Sequence, residues 1–182
     1  MGSYGPPADK VSALFKELKG KAGKSPERVR QKLSESIASP EEIELLINLA
    51  QRASHEDPDF SPLALEVAKP LVLRIELLEK RSYALQNLVR VYRACEGEAD
   101  LSLLREGFIL ADQLRQAEKE KNLELTARKG MNTVADQLEQ TMIAEYASDD
   151  FAAAMKYLRA MPDDEMKLAT YLRVVESLRQ NY

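Results

Sequence analysis

Gly20-Lys21-Ala22-Gly23-Lys24-Ser25 is the stretch of this 182-residue chain that comes closest to a reactive motif. A Gly-Lys-Ser end suits a phosphate-binding loop, because the lysine reaches the phosphates and the hydroxyl holds Mg²⁺. The first glycine of such a loop stands five residues before the second, and here that position is Leu18. A strand must also lead into the loop, whereas Val11, Leu14, Phe15 and Leu18 follow helical spacing. The stretch reads as a basic turn ending in a helix cap, Ser25 before Pro26. No cofactor is expected.

The remaining reactive side chains are few. His55 is the only histidine, and Arg52 occupies the position three before it, so the paired Glu-x-x-His ligands of a di-metal bundle are excluded. The stretch Ser54–Phe60 reads as a loop, which makes His55 a surface residue with no identifiable nucleophile beside it. Cys95 is the only cysteine and closes an apolar stripe with Leu88 and either Val91 or Tyr92, so it reads as a small buried hydrophobe. Asp149-Asp150 and Asp163-Asp164-Glu165 sit where helices should start, and there carboxylates cap and meet the helix dipole. No catalytic residue and no metal ligand is expected, and the chain reads as a non-enzyme.

The elements that hold these residues are helices. Leu, Ala, Glu, Lys and Arg make up 94 of the 182 residues, against 19 for Val, Ile and Thr, and Gly and Pro total 15. That composition predicts an all-α protein. Ser25-Pro26, Ser39-Pro40 and Ser61-Pro62 each place a hydroxyl before a proline at the first helical position, and Ser39 with Glu42 forms a capping box. The periodicity predicts helices over 9–19, 26–37, 40–53, 62–78, 80–95, 101–119, 123–147, 150–160 and 164–180. Pro70 should kink or break the fourth after Ala68, and Gly97 suits a left-handed cap on the fifth. Asp100, Asn122, Asp149 and Asp163 are the expected caps of the last four, and Gly130 falls inside the longest.

Charge is uneven along the chain. Residues 1–33 carry eight bases and three acids, and the remainder 18 bases and 27 acids, within a net charge of −4. An acidic body disfavours nucleic acid as the main partner, since non-specific binding depends on neutralising phosphates. No stretch reaches the ~18 apolar residues of a membrane span. The opening Met-Gly-Ser-Tyr-Gly-Pro-Pro lacks the apolar core of a signal peptide, and residues 1–8 read as an unstructured or appended leader. Location stays open between the cytoplasm and export with a native signal peptide trimmed off.

The chain also resembles itself. Arg74–Val89 aligns without gaps on Ala160–Val175, an offset of 86, or two units of 43 residues. In both, an apolar residue closes one helix, an acid precedes a base, and small and apolar positions open the next helix. The middle unit would fall near Gln116–Leu125, at a charged turn. Tyr146-Ala147-Ser148-Asp149-Asp150-Phe151-Ala152-Ala153-Ala154 resembles the turn of a tetratricopeptide repeat, with Tyr146, Phe151 and Ala154 at its packing positions. Ser148 stands where that family has glycine, the Trp-Leu-Gly opening is absent, and Pro162 falls earlier than the usual closing proline. The resemblance, shared with HEAT-like repeats, covers about 62–180. It implies antiparallel helical hairpins stacked as a short right-handed α-solenoid, with an irregular helical bundle as the alternative. Residues 9–60 would then form a cap or subdomain, and 61–182 the repeat region.

One polar row is the candidate binding surface. Gln86, Arg90 and Arg93 recur at helical spacing opposite the apolar stripe of their helix, with Arg81 and Tyr83 nearby. On the inner wall of a solenoid, these types could grip an acidic peptide. The expected function is a non-catalytic protein-interaction or scaffold module. The alternatives are a ligand-binding bundle or enzyme with a pocket between hairpins, and a homo-oligomer formed through an apolar repeat end.

Overall fold

The computed structural model describes residues 6–121, 133–161 and 164–180. Among them stand nine helices and no strand: α1 (Pro7–Leu18), α2 (Pro26–Ser36), α3 (Pro40–Glu56), α4 (Phe60–Leu73), α5 (Leu78–Glu96), α6 (Leu101–Lys121), α7 (Val134–Ala147), α8 (Phe151–Ala160) and α9 (Asp164–Gln180). The protein is all-α. No described helix is long and apolar enough to cross a membrane. The chain is organised in two compact units, Met1–Gly97 and Glu98–Tyr182.

In the first unit, α3 is the hub, packing against α1, α4 and α5, while α2 and α5 also pack on α4. Ile43, Leu46, Ile47, Ala50 and Ala53 are the buried row of α3, the spacing that buries one helix face. Its start is fixed by the expected capping box: the Glu42 amide donates to the Ser39 hydroxyl at 3.2 Å and the Ser39 amide to the Glu42 carboxylate at 3.2 Å. The basic N-terminal third is tied to the acids that follow it. Lys10 pairs with Glu42 at 2.7 Å, Lys19 with Glu56 at 2.8 Å and Arg30 with Glu66 at 2.7 Å. Burial raises the Glu42 carboxyl, but the Lys10 ammonium and the Ala38 and Ser39 amides outweigh it and hold it below the ordinary value.

In the second unit, α7 is the hub, packing against α6, α8 and α9, and α8 also meets α9. Ile143, Ala144 and Ala147 of α7 join Ala154 and Leu158 of α8 and Val174 of α9 in one buried cluster. Gly107 of α6 lies directly against the Met142 side chain of α7, so a larger residue there would overlap it. Gly97 takes φ +80° at the end of α5, as expected of a left-handed cap.

Several boundaries differ from expectation. Helix α4 starts at Phe60, so Ser61 lies inside it with a buried hydroxyl that finds no partner, and does not cap it. A proline fits anywhere in a first turn, where amides have no intrahelical acceptor, so Ser-Pro does not set the register. Phe60 sets it: its ring is fully buried and meets Phe15 edge-on at 4.9 Å. Helix α4 also runs past Pro70 without breaking and ends at Leu73, earlier than residue 78. The Ser25 hydroxyl makes no cap bond. Helix α3 continues to Glu56, which places exposed His55 on its last turn and not in a loop. Asp150, not Asp149, caps α8 by accepting from the Ala153 amide at 2.9 Å, and Asp149 instead accepts from the Ala99 amide. Helix α7 begins only at Val134, because extended Thr133 forms a capping box with Asp136. A continuous helix over 123–147 is thereby excluded. Helix α6 runs through Lys121 without a turn at Gln116. The expected caps Asn122 and Asp163, and Gly130, lie outside the described residues.

Candidate functional site

The turn that resembles a phosphate loop is committed to the protein's own acids. Gly20 takes φ +73°, and its amide donates to the buried Asp57 carboxylate at 2.7 Å. Gly23 sits against the Asp59 carboxylate, which leaves no room for a side chain. The Gly20 amide thus faces a carboxylate, and the amides of Lys21, Lys24 and Ser25 donate to nearby backbone carbonyls. Cys95 is only partly buried, in the last turn of α5, beyond Val91, the last buried residue of that helix. Among the described residues, no group of three His, Cys, Asp or Glu side chains comes together in ligating geometry.

The five residues singled out on α5 fall into different environments. Tyr83 and Arg90 are exposed on one side of the helix. Arg93 is half-buried. Gln86 is buried, and its amide donates to the Ser82 hydroxyl at 3.3 Å. Arg81 turns back to donate its Nε to the Ile75 carbonyl at 2.6 Å, closing the turn between α4 and α5. Tyr83 and Arg90 thus share one exposed side of α5, two turns apart, while Arg81 and Gln86 are used internally.

A second surface is built by the Glu98–Tyr182 unit. Asp100 starts α6 by accepting from the Ser102 and Leu103 amides at 2.8 and 3.3 Å. Leu103, Leu110, Ala111 and Leu114 are buried. Leu101, Arg105 and Ile109, at helical spacing, stay exposed on another side. Phe108 lies between these rows and stacks on Tyr157 of α8, with ring centres 4.7 Å apart and planes 14° apart. Tyr146, at the end of α7, leans on Tyr157 at 6.2 Å.

Leu101, Arg105, Ile109 and the rings of Phe108, Tyr146 and Tyr157 line an open cavity of about 380 Å³ between α6, α7 and α8. Asp112 and Glu139 stand at its rim, where Arg115 holds both; Arg115 to Asp112 is 3.3 Å. Three aromatic rings with a charged rim can bind an apolar group and orient it. No nucleophile with an adjacent base is among the residues lining it.

The sequence pointed only partly to this cavity. Tyr146 and Ala154 were singled out as repeat packing positions; here Tyr146 is half-buried, Ala154 fully buried, and Phe151 about half exposed at 48%. The signal for the cavity is the width of the apolar arc on α6: Leu101, Leu103, Leu104, Phe108, Ile109 and Leu110 cover more than one core-facing stripe requires. A second cavity, of about 420 Å³, lies in the first unit beside Ile43, Leu71 and Leu77. The chain matches no protein-family model, no curated protein and no solved structure.

Proposed function

We infer that this is a non-catalytic protein-interaction module of helical-repeat type, and that its docking groove is the aromatic cavity between α6, α7 and α8. One observation carries the reading. Among the described residues, the large apolar side chains left exposed in the second unit are Leu101, Ile109, Phe151 and Tyr157, with Leu168, Tyr171, Leu172 and Val175, whereas the first unit exposes Leu77 and Tyr83. Contiguous exposed apolar surface marks an interaction site, and rings over a concave floor suit an apolar peptide anchor.

The repeat character is supported by two helix triplets with one neighbour pattern. In α3–α4–α5 and in α7–α8–α9, each helix packs on both others. Helices α5 and α9 also begin at Leu78 and Asp164, the same offset of 86 that relates the similar segments. The pair Tyr83 and Arg90 on α5 offers a smaller second surface, suited to an acidic peptide.

Selection of a random peptide-display library on the full chain tests the groove. Enrichment of peptides with a large apolar anchor is expected, and Ile109→Glu with Tyr157→Arg should abolish their binding while helicity is retained. Peptides that bind the double variant undiminished, or no enrichment at all, would overturn the assignment.

A further inference from the structure

Helix α9 carries two apolar rows where a surface helix needs one. The first row, Met166, Thr170 and Val174, is buried in the unit. The second, Leu168, Tyr171, Leu172 and Val175, follows i, i+3, i+4, i+7 and is bare, with exposures of 61, 46, 54 and 44%. Shifted by the 86-residue offset, the same row on α5 is Ser82, Leu85, Gln86 and Val89, and all four are buried. A position that is covered in one triplet is therefore uncovered in the other. A repeat face left apolar and uncovered needs a polar cap or a partner to stay soluble.

The row is also complementary to itself. Turn a second α9 antiparallel about a two-fold axis between Tyr171 and Leu172. Leu168 then meets Val175 of the second copy and Tyr171 meets Leu172. Beyond them, Asp164 meets Arg179, twice by symmetry. Asp164 and Arg179 are exposed, so both charges are within reach of a partner. The acid lies at the N-terminus of the helix and the base at its C-terminus, the arrangement that the helix dipole favours. The existing Lys167–Asp164 contact, 2.9 Å with the Asp164 side chain 95% exposed, is a weak surface pair that can be exchanged at little cost. A parallel pairing would instead set like charges against each other.

We propose that the protein forms a symmetric homodimer through antiparallel pairing of α9. The contact is one helix of 17 residues, about 25 Å long, from each copy. That places it at the small end of specific interfaces, so the dimer dissociates in the micromolar range. The proposal is independent of the α6–α8 groove: the α9 variants leave that groove intact, and Ile109→Glu with Tyr157→Arg leaves α9 intact.

Sedimentation velocity of the full chain, from about 1 µM to several hundred micromolar, tests it. The mass should rise from 20.5 kDa toward twice that value. Leu168→Glu with Leu172→Glu should raise the dissociation constant roughly 100-fold by setting buried acids against apolar groups. Arg179→Asp, at an exposed site with no role in the core, should weaken the dimer about tenfold, and adding Asp164→Arg should restore it. A chain that stays monomeric throughout overturns the proposal. So does a dimer that survives the double glutamate variant, or one that Arg179→Asp leaves unchanged.

Discussion

The two units solve one packing problem with different completeness. In Met1–Gly97, the triplet α3–α4–α5 is covered by α1 and α2, whose bases reach the acids of α3 and α4, and two large apolar residues stay exposed. In Glu98–Tyr182, α6 packs on the hub of α7–α8–α9, and eight large apolar residues stay exposed among those described. Their charges differ too: 15 bases against 14 acids in the first unit, and 11 against 16 in the second. The first unit is balanced and closed. The second is acidic and keeps apolar surface in contact with water, a cost that a chain sustains where partners bind.

The contrast can be broken most sharply at Phe60. Its ring is fully buried and holds Phe15, so Phe60→Ala should destabilise the first unit by about 3–5 kcal/mol. The equally large Phe151, half exposed in the second unit, should lose less than about 0.5 kcal/mol on the same change. Denaturant unfolding of both variants, with amide exchange to locate the loss, checks the pair; equal costs would remove the distinction between a closed and an open unit.

A change of opposite sign sharpens the comparison. Gln140 of α7 is fully buried, and both polar atoms of its side chain lack a hydrogen-bond partner. Gln140→Met keeps the volume and removes the orphaned amide, so the second unit should gain about 1–3 kcal/mol. A lower denaturation midpoint for this variant would show that the amide does find a partner in solution.

The smallest effect concerns acid. The folded Glu42 carboxyl titrates below its ordinary value of 4.5, so the unfolded chain takes up the proton first as pH falls. Its stabilisation is therefore complete above about pH 5 and lost as the pH drops through the folded pKa. Glu42→Gln should cost about 1 kcal/mol at neutral pH and nothing once the wild-type carboxyl is protonated. Paired unfolding curves from pH 7 downward read this directly, and a difference that does not shrink as the pH falls would assign the role of Glu42 to shape, not charge.

The helices were legible because their signals are local. The stripe from Ile43 to Ala53, the Ser39 box and the Gly97 cap each lie within a few residues, and each stands as read. Where a distant residue decides, local reading fails. Phe60 pulls the start of α4 two residues earlier because Phe15 awaits it from another helix. Gln86 looks like a surface residue by its polarity, yet Ser82 one turn away accepts its amide and lets it be buried. The aromatic cavity depends on Phe108, Tyr146 and Tyr157 arriving from three helices, and no window of sequence contains all three. The bare row of α9 was written in plain helical spacing, but only burial distinguishes it from a core stripe.

The ion pairs that fasten α1 and α2 onto α3 and α4 span 32 to 37 residues. Their partners leave the ribosome within seconds of one another at ordinary synthesis rates of about 5–20 residues per second. The closed unit can therefore complete itself while the apolar surface of the second is still being made. During vectorial synthesis, the unit more exposed to misassociation appears after the closed one, attached to a neighbour that has had time to fold.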